Sequence, residues 1–251
     1  MIKLPIIQGI IKRRILVNYR VDKNIIQSIL PKQFRPKLHN GKAIAGICLI
    51  RLEHIRPHFT PEFVGLSSEN AAHRIAVLWE NEAGEPQEGV YIPRRDTDSL
   101  LNHLAGGTIF PGEHNKADFE VVETENKIDF EMKSDDGKVF VKLEGEISDD
   151  FPDTSIFSSL AESSNFFENS SLGYSVKKSG KELDGILLKI KDWKVASLNV
   201  NFVESSFYND ENIFPNGSIE FDHALLIQNV AHEWHSAPSF DLTDDVEIHT
   251  K

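Results

Sequence analysis

Leu66-Ser67-Ser68-Glu69-Asn70-Ala71-Ala72-His73-Arg74-Ile75-Ala76-Val77-Leu78-Trp79 holds no proline or glycine and reads as one long β-strand. Side chains alternate along a strand, so Glu69, Ala71, His73, Ile75, Val77 and Trp79 share one face. Glu69 and His73 therefore point the same way. A strand of this length belongs to a large sheet, and the sequence on either side supplies its neighbours.

Upstream, Ala43–Ile55 is a second long β-branched stretch, ended by Arg56-Pro57. The turn His39-Asn40-Gly41-Lys42 before it predicts a hairpin with Phe34–Leu38. Ile15–Arg20 predicts a strand, after which Asp22 caps a short helix through Leu30, closed by Pro31. Downstream, Glu82–Pro86 turns the chain into Gly89–Arg95. Asp96 or Thr97 then caps a helix to about Ala105, stopped by Gly106-Gly107. Ala117–Glu123, Lys127–Lys133 and Lys138–Ile147 form an antiparallel meander with Asp135-Asp136-Gly137 as a turn. From Thr154 to Gly173 apolar residues recur at helical spacing, which predicts an amphipathic helix. Tyr174–Val176, Gly185–Ile190, Lys194–Phe202 and Ser218–Val230 complete the strands.

The expected fold class is α+β, mainly antiparallel β, in a single domain over 1–251, with 1–13 as an N-terminal extension and 241–251 as a loose tail. The 39 acidic residues against 27 basic ones give a net charge of -12, which opposes attraction to nucleic acid or anionic lipid. Neither nucleic acid nor membrane is an expected partner. Cys48 is the only cysteine, which excludes an intramolecular disulfide and fits a cytoplasmic location. Lys3 precedes a short apolar stretch broken by Pro5 with no cleavage site after it, so no signal peptide is expected. No apolar run approaches the roughly 20 residues that span a bilayer.

Several segments, in this order and spacing, resemble the acetoacetate decarboxylase superfamily, and more closely its uncharacterised YqjF-like branch. They are Asp22–Pro31 with the His39-Asn40-Gly41 turn, Ser68-Glu69-Asn70, Gly89-Val90-Tyr91, Gly106-Gly107-Thr108-Ile109-Phe110-Pro111, and Phe166-Phe167-Glu168 leading to Gly173-Tyr174. The resemblance covers most of residues 15–235. It implies an acetoacetate decarboxylase-like closed or cone-shaped β-barrel with flanking helices and a central cavity. In that family a lysine pair follows the aromatic-proline step, and one lysine forms a Schiff base with the substrate ketone. Gly112 and Glu113 stand at those places here, so the nucleophile and its activator are both missing. Lys116 is the nearest substitute, and it reads as a solvated lysine before a strand.

Glu69 matches the glutamate that opens the family's pocket strand. Burial can make such a carboxyl an acid or base, with His73 on the same face. The alternative is that Glu69 pairs with Arg74 or Arg95 and only holds the sheet together. Arg94-Arg95, directly before the predicted helix start, suit a carboxylate or phosphate, unless they pair with Asp96 and Asp98. Glu113 and His114, with His103 on the preceding helix, form a further acid-base candidate whose spacing fits no metal site. The expected catalytic residues are thus Glu69, His73 and Glu113, and the expected ligand-binding residues are Arg94, Arg95 and His114. No metal or cofactor is expected. His232-Glu233-Trp234-His235 lacks the gap of the zinc-protease signature, and Cys48 reads as a buried structural thiol. Together these features predict a protein that binds a small organic anion, keto acid-like, in a barrel pocket. Its chemistry would be lyase or proton transfer without a Schiff base; the alternative is a noncatalytic ligand-sensing or oligomeric scaffold module. A homo-oligomer stays open, since no exposed apolar run commits to an interface.

Overall fold

The computed structural model describes residues 5–81, 83–99 and 112–242. In chain order it holds β1 (Ile7–Val21), α1 (Lys23–Ile29), β2 (Arg35–Pro36), β3 (Leu38–His39), β4 (Lys42–Pro57), β5 (Leu66–Glu80), β6 (Pro86–Thr97) and β7 (His114–Glu123). These are followed by β8 (Lys127–Ser134), β9 (Phe140–Ser148), α2 (Leu160–Glu168), β10 (Leu172–Val176), β11 (Glu182–Ile190), β12 (Ala196–Ser205) and β13 (Ile219–Asp241). All 13 strands join one sheet. Its pairings are antiparallel except that β6 runs parallel to β7 and to β10. No described helix is long and apolar enough to cross a membrane.

The sheet returns on itself because β5 pairs with β6. From β6, one route leads back through β7, β8, β9, β12, β13, β1 and β4, and a shorter one through β10, β11, β13, β1 and β4. β13, β1, β4, β5 and β6 are thus common to both circuits and carry apolar side chains on both faces. Their residues divide between a larger core that includes Ile15, Val17, Ile47, Leu49, Ile75 and Val77 and a second core that includes Leu16, Ile44, Ile50, Leu52 and Ala76. The expected extension 1–13 contains the first half of β1, which pairs on both sides from Ile7 onward.

The hairpin at His39–Lys42 forms as expected, and its mechanism is visible. Asn40 and Gly41 both take positive φ, 46° and 78°, as a tight two-residue connection between β3 and β4 requires. Asp22 caps α1 by accepting from the Asn24 amide.

The helix predicted over 154–173 is a correction. Only Leu160–Glu168 is helical. Asp222 takes the Ile156 amide and the Ser155 hydroxyl, holding the earlier residues off the helical path. Ser159 then caps α2 on the Glu162 amide, while the Glu162 carboxylate reaches back to Ser158, a variant of the reciprocal capping box. The start expected at Asp96 or Thr97 also moves, since both residues lie inside β6, although the Thr97 hydroxyl does accept from the Ser99 amide. The helix to Ala105, His103, the Gly106–Pro111 stretch and the tail beyond 242 lie outside the described residues. Phe59 and Phe63 stand exposed near the half-exposed Val64 and Leu66, an apolar patch that local sequence patterning did not single out.

Four of the described histidines are buried: His73, His114, His223 and His232. His223 Nδ1 contacts Asp222 at 2.6 Å and its Nε2 contacts the Ser163 hydroxyl at 2.7 Å, the order of a nucleophile-activating triad. Ser163 has no exposed surface and Phe151, Phe157 and Phe167 surround the imidazole, so this trio fastens α2 to β13. Burial pushes His73 down to about 3, helped by the nearby Arg94 charge, and His232 down to about 4, and lowers His223 as well. Below about 6.5 the unfolded chain takes up these protons while the folded protein refuses them, so the contribution is present above that pH and is lost toward pH 4 to 3. At pH 5 each of His73 and His232 costs about 2 kcal/mol relative to pH 8. In His73→Phe the stability lost between pH 8 and pH 5 should be smaller by that amount in denaturant titrations. An identical loss in variant and parent would contradict the assignment.

Candidate active site

A cavity of about 130 Å³ lies between the strands of the shorter circuit. Its apolar wall includes Ile50 and Leu52 of β4, Ile92 of β6, and Ile186 and Leu188 of β11. Strand alternation selects which residues of β5 reach it. Asn70, Ala72 and Arg74 line the cavity, while His73, Ile75 and Val77 pack toward the larger core and Ala71 borders both.

The polar part of the wall is strongly cationic. Arg14 of β1, Arg74 of β5 and Arg95 of β6 all line it, and none of the three makes an ion pair among the described residues. Arg14 Nε donates to the Cys48 sulfur at 3.2 Å. Arg74 is 3% exposed; one Nη donates to Asn18 Oδ1, its guanidinium lies over the Phe167 ring, and its Nε has no hydrogen-bond partner among the described residues. Arg95 Nε donates to the Ser175 hydroxyl at 3.2 Å, and its Nη2 is sealed from solvent without a partner among the described residues. Burial pushes both Arg74 and Arg95 down to about 10, still protonated at neutral pH. A desolvated guanidinium favours an anionic neighbour, because an unpaired buried charge is costly.

Asp96 is the only carboxyl on the described wall. It is fully buried and is gripped by Arg94 Nε and Nη2, with Arg94 in turn on Asp136. Burial raises the Asp96 pKa, while the Arg94 guanidinium and its hydrogen bonds pull the other way. His114 opens β7, sits opposite Arg95 in the parallel register and lines the same cavity.

The structure therefore brings Arg95 and His114 together and sets the other expected residues apart. Arg94 is committed to Asp96 and Asp136; the expected partner Asp98 instead accepts from the Glu69 amide. Glu69 is absent from the cavity wall and pairs with Arg13 at 2.5 Å, with Arg51 at 3.9 Å, rather than with Arg74 or Arg95. Burial raises its pKa against the opposing pull of these two arginines. His73 packs on Phe207 and Tyr208 with Nε2 near the Ser205 hydroxyl. Glu113 is exposed. Gly112 is buried with φ 79°, and a Cβ there would meet Ser175 Cβ at 2.5 Å. Lys116 is exposed and bound to Asp135. No group of three or more His, Cys, Asp or Glu among the described residues is arranged to hold a metal. Arg14, Arg74 and Cys48 were missed as a group, because nothing local in the sequence signals that three strands converge there.

The sequence profile of DUF2071, an uncharacterized conserved protein (COG2071), matches residues 11–213. No curated protein matches the chain. Among solved structures, acetoacetate decarboxylase from Legionella pneumophila superposes with a TM-score of 0.58 at 11% identity, covering 94% of this chain and 88% of that one. An acetoacetate decarboxylase-like enzyme from Sphingomonas wittichii RW1 gives 0.58 at 10% identity, covering 94% and 92%. The enduracididine biosynthesis enzyme MppR, solved in complex with pyruvate, gives 0.54 at 13% identity, covering 97% and 93%. At such identities the likeness is one of fold.

Proposed function

This chain belongs to the DUF2071 family, and from that premise we propose that it binds a small organic carboxylate of the keto acid class in the cavity of the shorter circuit. One observation carries the reading: three guanidiniums with no carboxylate partner among the described residues converge on a single small, mostly apolar cavity. A carboxylate in the cavity would lie among the Arg14, Arg74 and Arg95 side chains, with its short carbon chain against Ile50, Leu52 and Ile92. Pyruvate bound to MppR, a protein of similar fold, supports the same ligand class. The two pairing circuits support a closed, barrel-like sheet around the ligand.

The chemistry available to such a ligand excludes an imine. The described wall carries no lysine, and residues 100–111 contain none in the sequence. Asp96 replaces Glu69 and Glu113 as the group for moving a proton, because it is the carboxyl on this wall and burial favours its protonated form. Titration calorimetry with pyruvate, 2-oxobutyrate and acetoacetate tests the binding. Saturable heat from one site is expected; silence with all three would overturn the reading.

Restoring a lysine at the family position should not restore imine chemistry. In Gly112→Lys the side chain must start from a left-handed backbone and enter the space of Ser175. Borohydride reduction in the presence of acetoacetate is expected to leave no mass adduct on the parent or on this variant. An adduct on the parent would show an amine that reaches the ligand.

A further inference from the structure

Cys48 is the one thiol on the described cavity wall, and the proposed function leaves it unused. It lies on the same β4 face as Ile50 and Leu52, with Arg14 Nε 3.2 Å from its sulfur. Arg74 and Arg95 both interact electrostatically with it. A second observation, independent of the thiol, points to a ligand. Arg74, 3% exposed, and Arg95 bring two further guanidiniums to the same wall, and neither has an ion-pair partner among the described residues.

We propose that Cys48 is the covalent attachment point for short 2-enoates, unsaturated carboxylates whose acid group is held by Arg74 and Arg95 while the β-carbon meets the sulfur. This rests on the reading of the cavity as a carboxylate site and adds the nucleophile to it. In the step, the sulfur forms a bond to the β-carbon and the π pair of the C=C bond moves to the α-carbon. The α-carbon gains a proton and the thiol gives one up. The net change is addition of S–H across the double bond, with no leaving group and no redox partner.

An ionised 2-enoate is a poor acceptor in water because its negative charge opposes the electron density that builds next to it. Guanidiniums fixed around the carboxylate remove that obstacle in the way preorganised donors stabilise developing charge elsewhere. The cavity, about 130 Å³, is close to the roughly 150 Å³ that houses benzene in a protein core, which limits the ligand to a few carbons.

The test compares acrylate with acrylamide, its neutral and intrinsically more reactive counterpart, by intact-mass spectrometry on the full chain. The parent is expected to gain one acrylate, at least about ten-fold faster than acrylamide, a ratio that one charge-assisted contact can supply. Cys48→Ser, with Cys48→Ala as a second variant, should gain none, and Arg95→Gln should reverse the preference. Pyruvate calorimetry on Cys48→Ser separates the two levels of the argument. Pyruvate bound by that variant with no acrylate adduct on the parent overturns the thiol assignment alone. No pyruvate binding by parent or variant overturns the cavity reading with it. Faster labelling of the parent by acrylamide overturns carboxylate guidance.

Discussion

Arg95→Gln is expected to abolish carboxylate binding while leaving the empty protein at least as stable as the parent. The two effects have opposite signs for one reason. Without a ligand the Arg95 guanidinium is desolvated and its Nη2 has no partner among the described residues, so its charge is a burden on the fold. Glutamine keeps a donor near the Ser175 hydroxyl and removes that burden. With ligand present the same charge is neutralised, and losing one member of a buried charged pair costs about 2–5 kcal/mol, a weakening of about 30-fold or more. Calorimetry with pyruvate and thermal melting of the apo protein read the two effects separately. Unchanged affinity would remove Arg95 from the site. A sharp drop in apo melting temperature would make it a structural residue.

Glu69→Ala should do the reverse. Arg13 has its side chain only 1% exposed, and Glu69 is its more buried partner, Glu123 being the other. Removing one member of a buried ion pair costs about 3–5 kcal/mol, and the remaining Glu123 keeps the loss near 3. Pyruvate affinity should stay within about two-fold, since Glu69 faces away from the cavity and its loss moves no ligand contact. If Glu69→Ala kept its stability and lost its ligand, the binding face of β5 would have been assigned the wrong way round.

Those two variants mark where the sequence is legible and where it is not. Alternation along Leu66–Trp79 correctly puts Glu69 and His73 on one face, because a strand permits nothing else. Alternation does not say which face meets a cavity. That depends on Arg13, 56 residues away, capturing Glu69, and on β10 and β11 closing over the other side. The hairpin at Asn40-Gly41 was readable because its backbone demands residues that tolerate positive φ. The helix from Thr154 was read too long because apolar spacing persists where Asp222, far along the chain, takes the amide and hydroxyl that would have begun it. Cys48 is a buried thiol as read, but its cationic surroundings were not legible. A cysteine in an apolar strand carries no local sign of three arginines arriving from other strands.

The division of β1, β4 and β5 between two cores has a practical outcome for protein engineering. Cys48, Ile50, Leu52, Asn70 and Ala72 line the cavity, whereas Ile15, Ile47, Leu49 and Ile75 sustain the larger interior. Randomising only the former set would let a selection explore new ligand preferences while the scaffold's tolerance to heat and denaturant is carried by positions the library never visits.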